Sequence, residues 1–240
     1  MLAQRFRAAR LDPAVCVLEG FHAVKHAIRF GADLPVVAVH DPDAVLALAS
    51  GLAPDVAATL GRLMEPVTLD EFTRLVPDPP PTGVVAVAVR PRVDPADLLA
   101  AVGPPPVVFL ERPNHLGNLG AAVRAAAAAG AAGVLTTGDR DPWHPAALRG
   151  SAGLHFALPV GRVDGVPATS RPIVAVDPEG TPLPDAHIPE GAVLAFGSER
   201  SGLSEAVLDR AAGRVAIPMR PGVSSLNLAT AVAVVLYARA

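Results

Sequence analysis

The 240-residue sequence predicts an α/β fold, in which helices cover a parallel sheet, and three observations support this prediction. Short apolar runs rich in Val, Leu and Ala alternate with longer stretches in which apolar residues recur at helical spacing. Such alternation is typical of βα units. In the second half, the strand-like runs 107–110, 192–196 and 215–217 each lead into a polar segment. Because polar groups at the carboxyl ends of parallel strands converge on one crevice, these segments predict a single ligand site.

The chain is predicted to divide into two α/β domains joined by a linker. The first, residues 1–91, has strands predicted at 15–18, 34–39 and 84–89 and helices at 19–29, 43–48 and 53–63. The proline-rich linker 92–106 includes a short helix at 96–102. The second domain, residues 107–240, has strands predicted at 107–110, 133–136, 156–160, 172–176, 192–196 and 214–217. Its helices are predicted at 119–130, 144–150, 203–211 and 225–238.

The composition argues against several classes of protein. No apolar run reaches the ~20 uninterrupted residues of a membrane span, so no membrane association is expected. The amino terminus lacks the long apolar core of a signal peptide, and a cytoplasmic location is therefore expected. Cys16 is the only cysteine, which rules out an intrachain disulfide and a cysteine metal cluster. The seven histidines show no ligand-like clustering, so no metal site is predicted.

The charge pattern is informative at the amino terminus. The net charge of −3 provides no overall basic surface for nucleic acid. Residues 1–30 nevertheless contain a local excess of cations over Asp12 and Glu19, and these cations are Arg5, Arg7, Arg10, Lys25 and Arg29. A phosphate backbone would suit this excess, and a solvated helix face explains it equally well.

Three motifs in the second half resemble those of one enzyme family. They read Asn-Leu-Gly-Ala-Ala-Val-Arg at 118–124, Phe-Gly-Ser-Glu-Arg-Ser-Gly at 196–202, and Ile-Pro-Met-Arg-Pro-Gly-Val-Ser-Ser-Leu-Asn at 217–227. In this order and spacing they resemble the motifs of the SpoU/TrmH family of RNA ribose 2′-O-methyltransferases, a branch of the SPOUT superfamily. The resemblance is strong over residues 105–240 and looser over 15–90.

This resemblance implies a fold, a reaction and partners. The second domain would be a parallel-sheet SPOUT domain with a trefoil knot. Since true knots are rare, the knot is expected from the resemblance alone. The first domain resembles a small ribosomal-protein-like RNA-binding domain, through residues 19–27 and 82–86. The implied activity is S-adenosylmethionine-dependent methylation of a ribose 2′-hydroxyl in ribosomal or transfer RNA, by a homodimer that needs no metal.

The resemblance also assigns roles within the first motif. Arg124 would be the catalytic arginine. Because arginine stays protonated, a grip on the target phosphate and stabilisation of a developing oxyanion suit it better than proton removal. A surface arginine on a helix is the simpler alternative. Asn118 would fix Arg124 or the ribose, and its alternative role is a helix N-cap.

The other two motifs would supply the remaining site residues. Glu199 would lie beside the cofactor and the arginine, although a glutamate in the first turn of a helix is also favoured by the helix dipole. Ser225 and Asn227 would lie at the ribose and the arginine, with simple capping as the alternative for the serine. The cofactor-binding residues would be Gly197, which permits close backbone approach, and a set from the third motif: Ile217, Met219 and Leu226.

Two other classes of function compete with this one. One is a catalytically silent RNA- or ribosome-binding protein on the same scaffold, against which the intact motif residues argue. The other is a Rossmann-type nucleotide enzyme of metabolism. The absence of G-x-G-x-x-G after the first strand argues against that class.

Overall fold

The structure is a computed structural model and describes residues 2–101, 103–166, 168–198 and 201–238. In chain order its helices and strands are α1 (Leu2–Ala9), β1 (Val15–Glu19), α2 (Phe21–Arg29), β2 (Val36–Val39), α3 (Pro42–Leu52), α4 (Pro54–Leu63), β3 (Met64–Pro66), α5 (Leu69–Phe72), β4 (Val84–Val89), α6 (Pro95–Ala100), β5 (Val107–Leu110), α7 (Leu116–Ala128), β6 (Gly133–Thr136), α8 (Pro145–Gly150), β7 (Val160–Arg162), β8 (Ile173–Pro182), β9 (Val193–Phe196), α9 (Glu205–Leu208), β10 (Gly213–Ala216) and α10 (Leu228–Ala238). No helix within these ranges combines the length and apolar character needed to cross a membrane.

The chain folds into two compact units. The first comprises Met1–Arg92 together with Trp143–Ala157, and the second comprises Val93–Pro142 and Leu158–Ala240. This division differs from the predicted one, which kept residues 107–240 in one domain. The difference arises because 143–157 packs with the amino-terminal residues, and such long-range packing leaves no trace in local sequence periodicity.

Specific contacts hold the 143–157 segment in the first unit. Arg149 of α8 forms an ion pair with the buried side chain of Glu19, with Nη1 and Oε2 2.8 Å apart. His26 donates from Nδ1 to the carbonyl oxygen of Ala152 over 2.6 Å. Burial is the main cause that lowers the pKa of His26 below its ordinary value, which favours the neutral ring.

The first unit is built on a four-stranded mixed sheet in the order β1-β4-β2-β3. β4 pairs antiparallel with both β1 and β2, whereas β2 and β3 are parallel. Its core includes Phe6, Val17, Phe72 and Val85, all buried. Phe6 belongs to α1, a helix that the sequence pattern did not predict.

The second unit contains a six-stranded sheet in the order β10-β8-β9-β5-β6-β7, and every pairing in it is parallel. The predicted α/β fold with a parallel sheet is thus confirmed for this unit. Strands β5, β6 and β9 are fully buried, which explains their continuous apolar sequences. The adjacent strands β5 and β9 end level with each other, since Leu110 pairs with Phe196.

One predicted strand is wrong. Residues 156–160 were expected to be extended, but Leu154–Phe156 forms a 3-10 helix and β7 begins only at Val160. The apolar residues of this stretch serve a different purpose. His155 and Phe156 pack on the ring of Trp143, with centroid distances of 5.2 and 5.3 Å. The apolar run therefore fills an aromatic cluster instead of a sheet.

Strand β8 contains an irregularity that shapes the site. Arg214 of β10 pairs with Ala175, but the next residue, Val215, pairs with Thr181. Residues 176–180 are thus skipped in the pairing with β10. Gly180 allows the chain to return to the sheet, since a Cβ there would lie 2.5 Å from the backbone nitrogen of Val215.

Candidate functional site

A cavity of about 370 Å³ lies within the second unit, at the carboxyl ends of its strands. Its walls come from the irregular part of β8, from the segment that follows β9, and from the segment between β10 and α10. The lining residues include Val176, Asp177, Phe196, Gly197, Ser198, Ile217, Met219, Ser225, Leu226 and Leu228. The second and third motifs therefore meet at one cavity, in the crevice position that is usual for parallel sheets.

All four residues predicted to bind a cofactor line this cavity: Gly197, Ile217, Met219 and Leu226. Ser225, predicted to lie at the ribose, lines it as well. The volume falls in the range of small-molecule sites, ~300–1,000 Å³, and the mixture of apolar walls with a few polar groups is typical of such sites. A nucleoside-sized cofactor with a short polar chain fits these properties.

The first and third motifs are joined by a hydrogen bond between two asparagines. Asn227 donates from Nδ2 to Oδ1 of Asn118 over 2.9 Å. The Oδ1 of Asn227 accepts from the backbone N–H of Ala229 over 2.9 Å, so its amide orientation follows from the bonding on both sides. Both residues were predicted to lie in one site, but the hydrogen bond between them was not predicted.

The same contacts correct two predictions about helix ends. The final helix was expected to start at residue 225, but α10 starts at Leu228 because the side chain of Asn227 caps it. An N-cap role was the alternative for Asn118, but this residue lies inside α7, whose N-cap is His115. The capping role therefore belongs to the asparagine of the third motif.

Arg124 is exposed on α7. It follows Asn118 by six positions, which places the two side chains ~120° apart around the helix at 3.6 residues per turn. Among the residues that the structure describes, none forms a hydrogen bond or an ion pair with Arg124. In the described part of the chain, Arg124 and Asn118 are therefore not joined by a hydrogen bond.

The segment after β9 closes on itself. Ser198 and Gly202 exchange backbone hydrogen bonds of 3.1 and 3.0 Å, and the hydroxyls of Ser198 and Ser201 are 2.7 Å apart. A Cβ on Gly197 would lie 2.1 Å from the carbonyl carbon of Gly202. This close approach within the protein itself requires glycine at 197, whatever the ligand. Glu199, predicted to be catalytic, lies outside the described residues.

Two acidic residues at this edge of the sheet were not predicted from the sequence. Glu111, which directly follows β5, is buried and binds Ser204 twice: Oε2 accepts from the backbone N–H and Oε1 accepts from the hydroxyl, both over 2.7 Å. Asp177 lines the cavity. Both stand near the carboxyl end of a predicted strand, and this position was the available signal.

The fold and the cavity define an α/β protein with a cavity of small-molecule size at the carboxyl edge of a parallel sheet. Comparison with known proteins identifies its family. The model of the SpoU rRNA Methylase family matches residues 105–237, more than half of the chain. The chain belongs to this family, as its three motifs predicted.

Individual relatives agree with this assignment. The chain is 39% identical over 139 residues to an uncharacterized tRNA/rRNA methyltransferase of Synechocystis, covering 54% of this chain and 51% of the relative. It is 33% identical over 144 residues to the 23S rRNA (uridine(2479)-2′-O)-methyltransferase of Streptomyces viridochromogenes, covering 54% and 50%. The chain thus spans about half the length of these curated relatives.

A solved structure matches over nearly the whole chain. It is the SpoU methyltransferase AviRb from Streptomyces viridochromogenes in complex with the cofactor AdoMet, with a TM-score of 0.80 and 25% identity. The match covers 99% of this chain and 96% of that structure. The similarity therefore extends through both units, beyond the residues that the family model matches.

Proposed function

We propose that this protein methylates a ribose 2′-hydroxyl in ribosomal or transfer RNA and uses S-adenosylmethionine as the methyl donor. The observation that carries the proposal is the cavity at the carboxyl edge of the sheet, where the second and third motifs meet and the Asn118–Asn227 bond attaches the first. Membership of the SpoU rRNA Methylase family supports the reaction class. The named 2′-O-methyltransferase among its relatives supports the ribose as the acceptor.

The cofactor would occupy the cavity, held by Gly197, Ile217, Met219 and Leu226, which line it. When bound, S-adenosylmethionine supplies a methyl group activated by a positive sulfonium; transfer to the ribose oxygen leaves a neutral thioether and releases the hydroxyl proton to solvent. The apolar side chains of Ile217, Met219 and Leu226 would exclude water from this group. Gly197 would contribute through its backbone, and its lack of a side chain lets the chain at Gly202 close against it.

The catalytic residues would act on the RNA. Asn118 and Asn227, linked to each other, would hold the ribose with their remaining donor and acceptor capacity, assisted by Ser225. Arg124, exposed on α7, would grip the target phosphate with its planar fork and stabilise negative charge that develops on the attacking oxygen. Glu199 directly follows Ser198, which lines the cavity, and it would complete the catalytic residues by fixing the arginine or the cofactor.

The first unit would bind RNA. Of the amino-terminal cations, Arg10 is paired with Glu19 and Arg29 with Asp55 over 2.7 Å. Arg5 and Arg7 are exposed on α1 and suit contact with a phosphate backbone. We propose that this unit is a ribosomal-protein-like RNA-binding domain.

A homodimer is also proposed. Helices α7 and α10 pack against each other, and Arg124 is the only charged residue that the two helices contain. Val234 and Tyr237 are exposed on α10, the tyrosine to 58%. Exposed apolar side chains on a surface with so little charge are typical of an interface, and a second copy of the chain would cover Val234 and Tyr237. We further propose that the 217–227 segment takes part in a trefoil knot, and that the enzyme works in the cytoplasm on its RNA.

The test uses S-adenosylmethionine labelled in its methyl group, with ribosomal RNA and transfer RNA taken separately from cells that lack this protein. Alkaline cleavage of RNA needs a free 2′-hydroxyl, so ribose methylation leaves the label in alkali-resistant dinucleotides. We expect the label there, in one of the two RNA classes. Label in mononucleotides would show base methylation and contradict the proposal. RNA binding without any transfer would favour a catalytically silent RNA-binding protein.

A further inference from the structure

We propose that Asp177 makes the cavity selective for a cationic cofactor over its neutral demethylated product. The inference rests on the proposed function, because it concerns the charge that S-adenosylmethionine loses on methyl transfer. It adds a residue that lies outside all three sequence motifs. Asp177 would act as a specificity-determining residue and would favour release of the product.

Asp177 reaches the cavity through the irregularity in β8. In a regular strand, the residue after Val176 would continue the pairing of β8 with β10. Here residues 176–180 are skipped in that pairing, and the cavity wall includes Val176, Asp177 and Pro178. Gly180 makes the return to the sheet possible, since any Cβ there would collide with the backbone of β10. The irregularity in β8 thus places the carboxylate of Asp177 in the cavity wall.

This carboxylate is held in place. Its Oδ1 accepts a hydrogen bond from the backbone N–H of Glu179 over 2.9 Å, as in an Asx turn. The side chain of Glu179 points elsewhere: it is 85% exposed and lies 3.9 Å from Arg214. Asp177 keeps its second oxygen for other partners, because the Glu179 bond uses only Oδ1.

Asp177 gives the described lining of the cavity its charge. Among the described residues that line the cavity, Asp177 is the only one with an ionisable side chain; its neighbours there are apolar residues, glycines, Pro178 and serines. A carboxylate beside low-dielectric walls acts over several ångströms without direct contact. The described lining therefore gives the cavity a negative potential that a cation inside it would experience.

The cofactor and its demethylated product differ in charge. S-adenosylmethionine and S-adenosylhomocysteine share the adenosine, the ammonium and the carboxylate, and they differ by the methyl group and the positive charge on sulfur. A negative potential in the cavity therefore stabilises the first relative to the second. For a half-buried carboxylate, partly screened by solvent, a preference of roughly 3- to 10-fold is expected.

The experiment measures dissociation constants by calorimetry for S-adenosylmethionine, S-adenosylhomocysteine and sinefungin, in which an ammonium-bearing carbon replaces the sulfonium. The variant is Asp177→Asn, because asparagine can still accept from the N–H of Glu179 and preserves the turn. We expect the two cationic ligands to bind roughly 3- to 10-fold more weakly and S-adenosylhomocysteine to change by less than about 2-fold. Glu179→Gln removes the same charge from a neighbouring side chain outside the cavity lining and should leave all three constants unchanged.

Each outcome decides the proposal. Equal weakening of all three ligands, complete loss included, would overturn it, since Asp177 would then act on a group that the ligands share. Unchanged binding in Asp177→Asn would also overturn it. Failure of the wild-type protein to bind any of the ligands would instead contradict the proposed function, so the two failures are distinguishable.

Discussion

The two segments that form the cofactor cavity are built in opposite ways. The segment after β9 is closed by its own hydrogen bonds between Ser198 and Gly202, and the buried carboxylate of Glu111 fastens its far end at Ser204. The segment between β10 and α10 is exposed from Arg220 to Asn227, and the bond from Asn227 to Asn118 anchors its end. We infer that the first wall is preformed and that the second becomes ordered around its ligands.

The largest effect is expected at Arg124, which lies in neither wall of the cavity. Arg124→Ala should lower the single-turnover rate by roughly 100- to 1000-fold, as loss of an electrostatic stabiliser does. Cofactor affinity should stay the same, because Arg124 does not line the cavity. Arg124→Lys should fail almost as badly, since lysine lacks the planar fork. Rapid-quench methylation of the RNA substrate, with calorimetry alongside, measures both quantities. Near-normal turnover by Arg124→Ala would exclude the proposed role.

Two glycines test the difference between the walls directly. Gly197→Ala places a methyl group 2.1 Å from the backbone of Gly202, so the closed segment must open and cofactor affinity should fall more than about 10-fold. A methyl group on Gly222, in the other segment, would meet no described atom within 4 Å, although the φ of 88° at this position favours glycine. Gly222→Ala should therefore have a smaller effect on affinity. Similar losses in the two variants would contradict the contrast.

Glu111 should stabilise the preformed wall. Glu111→Ala leaves the N–H and the hydroxyl of Ser204 without their acceptor, and we expect the free energy of unfolding to fall by about 2–3 kcal/mol. Ser204→Ala removes only the hydroxyl bond and should cost about half as much. Urea denaturation of both variants measures these values. If Glu111→Ala were as stable as the wild-type protein, the wall would not depend on this carboxylate.

Asn227 should have a smaller effect on stability than Glu111. Asn227→Ala removes the cap of α10, at a cost of about 1 kcal/mol in the free energy of unfolding. Asn227→Asp keeps the acceptor for the N–H of Ala229 but cannot donate to Asn118, so it should retain the stability and still lose methylation activity. Thermal unfolding and the methylation assay separate the two effects. Full activity in Asn227→Asp would show that the asparagine pair has no role in catalysis.

Local sequence patterns predicted most of the six-stranded sheet, whereas the cavity residues were predicted through the resemblance of the motifs to one family. Strands β5 and β6 were predicted with their observed bounds because continuous apolar runs between turns define buried strands. Such patterns do not reveal contacts between residues that are distant in the sequence. The Glu111–Ser204 bonds join residues 93 positions apart, and the Asn227–Asn118 bond joins residues 109 positions apart. The detour of β8 at 176–180 was missed for the same reason, since it depends on pairing with β10.

The placement of 143–157 also changes how the first unit should be tested. Deletion of residues 1–90 would remove the partners of Arg149 and Ala152, so loss of RNA binding could follow from damage to that segment. Substitution of the exposed Arg5 and Arg7 by glutamine avoids this problem and leaves both units intact.

Hydrogen–deuterium exchange, with and without S-adenosylmethionine, tests most directly whether the two walls enclose the cofactor and differ in order. We predict that the backbone amides of residues 217–227 gain strong protection on binding. The amides of Ser198, Ser201, Gly202 and Ser204 should be protected already and change less, because their hydrogen bonds exist before the ligand arrives. Protection confined to other parts of the chain, or a larger gain at 197–204 than at 217–227, would contradict this account.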